Sequence, residues 1–154
     1  MIIRLGEDAV PLVLDFRYRM MVEAGGIHSL ADDWRELTQG YYTRGYREDS
    51  CAHFGWQEQG RIVATAGATI RNDFPSFTTK ARCYGWIMDV YVLPEYRRRG
   101  LARQLTRHTL DWLRRKGITL IKLTASEEAK KARLYEQLGF TFTNEMRVKF
   151  DEAT

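Results

Sequence analysis

The chain has 154 residues, a formal net charge of +4, 44% apolar and 29% charged residues. That balance excludes a disordered chain, and the length fits one domain over residues 1–154 with room for a sizeable core. No apolar run approaches the ~20 residues needed to span a bilayer and no secretory leader is recognisable. Cys51 and Cys83 then read as reduced core thiols, and the expected compartment is the cytoplasm.

Met1–Leu5 reads as a short strand. Gly6-Glu7-Asp8 opens a helix, with its acidic residues at the positive end. Val10, Val13, Leu14, Tyr18, Met21 and Val22 recur at helical spacing up to Ala24, where Gly25-Gly26 breaks the pattern. A second helix is expected over Leu30–Gly45, with Ser29 as N-cap and Trp34, Leu37 and Tyr41 on one side. Ser50–Gln57 and Arg61–Arg71 read as a hairpin joined by Glu58-Gln59-Gly60, followed by a loop over Asn72–Arg82.

Tyr84–Leu93 is rich in β-branched and aromatic residues and is closed by Pro94, a strand pattern. Next comes Arg97-Arg98-Arg99-Gly100-Leu101-Ala102, and then a helix over Leu101–Lys116. At 100° per residue, Leu101, Ala102, Leu105, Thr109, Trp112 and Leu113 share one side, while Arg103, Arg107, Asp111, Arg114 and Arg115 fall on the other. Gly117 stops the helix. Ile118–Thr124 is the next strand, Glu128–Leu138 a helix and Phe140–Phe150 a last strand. A tight turn that feeds a helix start leaves backbone N–H groups pointing at one spot near the positive helix end, a geometry that binds phosphate. Gly100 removes a Cβ from the approach, and Ala102 keeps the next position small.

Neither Gly-x-x-x-x-Gly-Lys-[Ser/Thr] nor Gly-x-Gly-x-x-Gly occurs. The run from Val90 to Leu105 instead resembles the acyl-CoA motif [Arg/Gln]-x-x-Gly-x-[Gly/Ala] of the GNAT superfamily of N-acetyltransferases. A second signature, Leu134-Tyr135-Glu136-Gln137-Leu138-Gly139-Phe140, is similar to that family's Leu-Tyr-x-x-x-Gly-Phe junction. The resemblance implies an α/β fold: a mixed, mostly antiparallel central sheet with a splayed parallel strand pair, flanked by about four helices. The element order β-α-α-β-β-β-α-β-α-β agrees with it.

The resemblance also implies acetyl-CoA as co-substrate and direct attack of a primary amine on the thioester. It places Val90, Tyr91 and Val92 against the pantetheine, with a backbone N–H near Val90 donating to the thioester carbonyl, where one such donor is worth roughly 3 kcal/mol. Arg97, Arg98, Arg99, Gly100, Leu101 and Ala102 would take the pyrophosphate; Arg98 and Arg99 either reach the phosphates or face water. Tyr135 is the implied general acid, because a phenol is protonated at neutral pH and can give a proton to the departing thiolate; the alternative is a packed helix tyrosine. Relatives often carry Glu-Asp just before the position of Val90. Here Met88-Asp89 keeps only the second acid, so Asp89 is either a base or amine-binding group, or it points away and pairs with an arginine. Where relatives often carry an Asn seven positions before the tyrosine, this chain has Glu128.

His28, His53 and His108 make no zinc spacing with the two cysteines, so no metal is expected. Trp34, Tyr41, Tyr42, Tyr46, Phe74 and Phe77 with Asp32, Asp33, Glu36, Glu48 and Asp49 would suit a cationic amine, or are simply core aromatics and solvated acids. Seven arginines lie between Arg97 and Arg115. A phosphate site and a solvated helix back account for them, and the flanking strands argue against a nucleic-acid recognition helix. A coenzyme A-binding module without turnover is the alternative function, and the resemblance allows a homodimer.

Overall fold

A computed structural model describes residues 1–75 and 81–148. Five strands form one sheet in the order β1-β2-β3-β4-β5: β1 (Ile2–Arg4), β2 (Cys51–Glu58), β3 (Arg61–Asn72), β4 (Cys83–Val92) and β5 (Ile121–Lys122). The first four pair antiparallel and β4 pairs parallel with β5. The helices are α1 (Val10–Glu23), α2 (Trp34–Arg47), α3 (Leu101–Arg115) and the short α4 (Glu127–Lys131).

Alternation along β2 separates the two sheet faces. Cys51 lies where a Cβ on Gly45 of α2 would come within 2.5 Å of it, and the ring of His53 packs on Tyr42 and Tyr46 of α2. Phe54 lies edge-on to His108 of α3, with centroids 4.7 Å apart. So α1 and α2 cover one face and α3 the other. Helix α3 buries Leu101, Leu105, Thr106, Thr109, Trp112 and Leu113, the stripe expected from its spacing except that Thr106 is buried and Ala102 only half-buried. Gly85 of β4 makes the close contact possible, since a Cβ there would sit 2.6 Å from Leu113 Cδ1. Gly117 at φ 76° ends the helix, with its N–H on Arg114 and that of Ile118 on Leu113, a Schellman arrangement.

Several boundaries differ from the sequence expectation. The second helix begins at Trp34 rather than Leu30, because Leu30 is extended (ψ 134°) after a 3-10 turn over Ile27–Ser29. The buried face of α1 is Val10, Val13, Leu14 and Phe16, and Tyr18 and Val22 are exposed. Strand β5 keeps only two residues of Ile118–Thr124, since the ladder to β4 stops after Trp86↔Lys122. The helix expected over Glu128–Leu138 is α4, capped by Ser126 Oγ, then Arg133 at φ 53° and a 3-10 turn over Glu136–Leu138. Residues 140–148 of the expected last strand form no strand among the described residues, and Phe142, Met146 and Val148 are exposed. An alternating pattern becomes a strand only where a neighbouring edge completes its hydrogen bonds. Phe150, Phe77 and most of the 72–82 loop's tip lie outside the described residues.

Leu113 is fully buried beneath Gly85. Leu113→Ala is expected to lower stability by about 2–5 kcal/mol, read as a reduced urea midpoint with an unchanged denaturant slope.

Candidate active site

The centre of the site is an irregularity in β4. Gly67 of β3 pairs with Met88 and Thr65 with Tyr91, so Asp89 and Val90 stand opposite Ala66 alone. This is a β-bulge, with Asp89 at φ 54°. Two hydrogen bonds show its effect on the strand. The N–H of Gly85 donates to Leu120 on the β5 side, whereas the N–H of Leu93 donates to Val63 on the β3 side. In an unbroken strand these two residues would face the same way. The bulge reverses the alternation between them, so Val90 and Val92 direct their backbone groups toward β5, beyond the point where the β4–β5 ladder has ended. The Asp89 carbonyl turns back to accept from Thr65 Oγ1 at 3.0 Å. The trans peptide is planar, so the N–H of Val90 points the opposite way, into the open splay.

Beyond Leu93 the chain makes the arginine turn. Arg98 and Gly100 both take left-handed conformations, φ 63° and 75°. The first helical N–H to find a carbonyl is that of Gln104, on Gly100. Among the described residues no acceptor meets the N–H groups of Arg98, Arg99, Gly100, Leu101, Ala102 or Arg103. Consecutive unpaired donors at the positive end of a 15-residue helix form an anion nest. A Cβ on Gly100 would meet nothing nearer than Gln104 Nε2 at 3.8 Å; glycine is required there by backbone conformation rather than by protein crowding.

The three arginines have different surroundings. Arg97 donates through Nε to Val92 O (3.0 Å) and through one terminal nitrogen to both carboxylate oxygens of Glu23 (2.9 and 2.7 Å). Its guanidinium braces the turn against β4 and the end of α1, and the same Glu23 accepts from the Tyr91 hydroxyl at 2.7 Å. Arg99 leans over the Tyr96 ring and reaches Glu58 and Glu95 O. Arg98 is exposed beside the nest. Tyr135 is half-buried, lies edge-on to Phe140 with centroids 5.8 Å apart, and its hydroxyl meets no hydrogen-bond partner among the described residues. Burial pushes its phenol up to about 12, so it is a neutral O–H donor at physiological pH.

Asp89 takes the second of the two roles open to it in the sequence. Its side chain is fully buried. One oxygen accepts from Arg17 of α1 at 2.6 Å; the other accepts from Tyr42 of α2 and lies 2.8 Å from His53 Nε2 of β2. With no exposed oxygen, the carboxylate offers an amine no direct contact, so Asp89 does not stand as the base. Burial by itself would raise its carboxyl, but the hydrogen bond and charge of His53, then the charge of Arg17 and the Tyr42 hydroxyl, hold it at about 2. Arg17 was not singled out from the sequence, and Tyr42 and His53 were considered there for other roles. One signal was present: Val10, Leu14 and Arg17 follow each other at helical spacing, and a cation in an apolar stripe calls for a buried anion.

Among the described residues, the aromatic and acidic side chains expected to receive a cationic acceptor do not assemble that way. Tyr42 and Tyr46 turn inward, Tyr46 to His53 Nδ1 at 2.7 Å. Tyr41 bonds Thr69, and Asp49 is held by Arg4 and Lys116. Cations already cover the rings: Arg35 lies over Trp34, Arg71 over Trp86 and Lys122 over Tyr84. Asp32, Asp33, Glu36, Glu48 and Phe74 are exposed. Among the described residues no cluster of three His, Cys, Asp or Glu side chains suits a metal, and no helix is long and apolar enough to cross a membrane.

A bulged strand that splays from its parallel neighbour, followed by an anion nest at a helix start, is the architecture of acyl-CoA-dependent acetyltransferases. The chain belongs to the Acetyltransferase (GNAT) family, whose pattern matches residues 18–140. It is 38% identical over 98 residues to a glucosamine 6-phosphate N-acetyltransferase of Trypanosoma brucei brucei, a match over 64% of this chain and 63% of that protein. The matched region thus spans a little under two thirds of the relative. A predicted acetyltransferase of Clostridium acetobutylicum, solved with acetyl-CoA, shares the fold with a TM-score of 0.85 at 22% identity, over 98% of this chain and 95% of that one. A GCN5-related N-acetyltransferase of Ralstonia eutropha superposes with a TM-score of 0.86 at 24% identity, over 97% of each chain.

The depressed carboxyl of Asp89 has a pH signature. Its contribution to stability is complete above the unfolded value near 4 and disappears as pH falls through the folded value. The stability gap between wild type and Asp89→Asn is therefore expected to close between about pH 4 and pH 2, by on the order of 2 kcal/mol, and to stay level above about pH 5. Urea denaturation of both proteins across that range measures it.

Proposed function

We propose that this protein transfers the acetyl group of acetyl-CoA to a primary amine by direct attack, without an acyl-enzyme. The observation that carries this reading is the adjacency of two donor sets: the Val90 N–H in the open edge of β4, and the unpaired N–H groups from Arg98 to Arg103 one short turn later. A coenzyme lying along Val90, Tyr91 and Val92, with its pyrophosphate on Arg98, Arg99, Gly100, Leu101 and Ala102, would bring its thioester carbonyl to the Val90 N–H. That donor would stabilise the oxyanion as the amine nitrogen adds to the carbonyl carbon. Collapse of the adduct forms the amide and breaks the C–S bond; the nitrogen releases a proton to water, and the Tyr135 hydroxyl supplies the proton that the thiolate takes and regains one from solvent. Arg97, occupied with Glu23 and Val92, holds the turn in place rather than binding phosphate.

The acceptor is an amine on a molecule that also carries negative charge. Support for this comes from Arg71 over Trp86 and Lys122 over Tyr84, which set two cations against the carboxylate of Asp73, 3.9 Å from Lys122, beside the neck of the splay, where Trp86 pairs with Lys122. The similarity to a glucosamine 6-phosphate N-acetyltransferase points to amino sugar phosphates as the first compounds to try.

Thiol release from acetyl-CoA, measured with glucosamine 6-phosphate, glucosamine and polyamines, tests the reading. Turnover is expected to favour the phosphorylated amine; a preference for polyamines would reject the acceptor class, and no heat on titration with CoA would reject the site. Tyr135→Phe is expected to lower kcat about 100-fold or more with little change in the KM for acetyl-CoA. An unchanged kcat would remove Tyr135 from the mechanism.

A further inference from the structure

We infer that His53, acting with Arg17 and Tyr42, is a positioning residue for acetyl transfer: the three donors hold the Asp89 side chain, and through it the bulge that aims the Val90 N–H. The inference rests on the function proposed above and adds residues that do not touch the coenzyme or the acceptor.

The local sequence Ile87-Met88-Asp89-Val90-Tyr91-Val92 gives no reason for a bulge, because its residue types favour regular strand. The reason is the charge. Gly85 lies against Leu113 of α3, and unbroken alternation would carry Ile87 and then Asp89 to that same face. The buried residues of α3 are Leu101, Leu105, Thr106, Thr109, Trp112 and Leu113, with no cation among them. A carboxylate in that position would be an uncompensated buried charge. One inserted residue sends it to the opposite face instead, where α1, α2 and β2 each contribute a donor.

His53 has a place built for it. Its imidazole lies across Gly67, where an added Cβ would come within 2.2 Å of Cδ2, so only glycine at that β3 position lets the ring reach Asp89. Asp89 as a carboxylate only accepts, so His53 Nε2 carries the proton of the shared bond. Arg17 pairs with the other carboxylate oxygen, and His53 Nδ1 lies 2.7 Å from the Tyr46 hydroxyl. Tyr46 and Gly67 thus fix the ring, the ring fixes Asp89, and Asp89 fixes the direction of the next peptide. His53 is fully buried and acts only through this chain of contacts.

Three variants test it: His53→Leu removes the donor, His53→Gln keeps a neutral donor of similar reach, and Arg17→Met removes the cation from a partly exposed position. The readouts are kcat, KM for acetyl-CoA, the CoA dissociation constant by calorimetry, and the β3–β4 register by NMR contacts of Gly67 with Met88 and of Thr65 with Tyr91. His53→Leu is expected to lose about tenfold or more in kcat and to lose those register contacts. CoA affinity should fall less than kcat, because the nest at Arg98–Arg103 is separate from the bulge although Val90–Val92 adjoin it. His53→Gln is expected to recover most of the loss, and Arg17→Met to show the same pattern should His53→Leu fail to fold. A folded His53→Leu with wild-type kcat and register overturns the inference. So does a His53→Gln as slow as His53→Leu but with wild-type register, which would give the imidazole a chemical role of its own. A wild-type protein that acetylates no amine would defeat the proposed function, while the register contacts would still decide the positioning role.

Discussion

A buried carboxylate is tolerated only where donors surround it, and the contacts of Asp89 organise this molecule. Arg17, Tyr42 and His53 reach it from three separate elements, so the packing of α1 and α2 onto the sheet and the bulge in β4 are parts of one arrangement. The left-handed conformation of Asp89 costs on the order of 1 kcal/mol or more, and the three donors offset that cost. Removing any one of them leaves a charge in a place where water cannot reach it.

The same irregularity serves the open edge. A strand in regular register would alternate its N–H groups to the end, and Val90 would face β3. Because the bulge reverses the alternation, the strand turns its free N–H groups toward β5 at the point where the parallel ladder stops. Backbone donors are well suited to this work: they are fixed by the sheet, need no rotamer to be frozen, and do not titrate. The anion nest after Leu93 is built the same way, from N–H groups that a helix start leaves unpaired.

Glu23 links these regions. It sits at the last residue of α1 and takes the Arg97 guanidinium and the Tyr91 hydroxyl together. Arg97 in turn binds Val92 O, so the end of α1 is joined to the turn that would hold the coenzyme. A charge-assisted bond of this kind is directional, and it sets the turn against the strand without occupying the nest.

The sequence by itself determined the order of elements as far as α4, the amphipathic face of α3, the hairpin and the two motifs, because each rests on local periodicity or on a glycine whose conformation other residues resist. It also identified Tyr135 and the arginine turn as the places to examine. Only the tertiary structure decided what Asp89 does, since its three partners come from 36 to 72 residues away in the chain and a buried charge is satisfied by whatever the fold brings near it. The surroundings of Arg97 and Arg99 likewise depend on Glu23 and Glu58, on elements no local pattern connects to the turn. The short β5 and the unpaired residues 140–148 follow the same logic. A strand exists only through its neighbour, and a neighbour is a fact about the fold rather than about the segment.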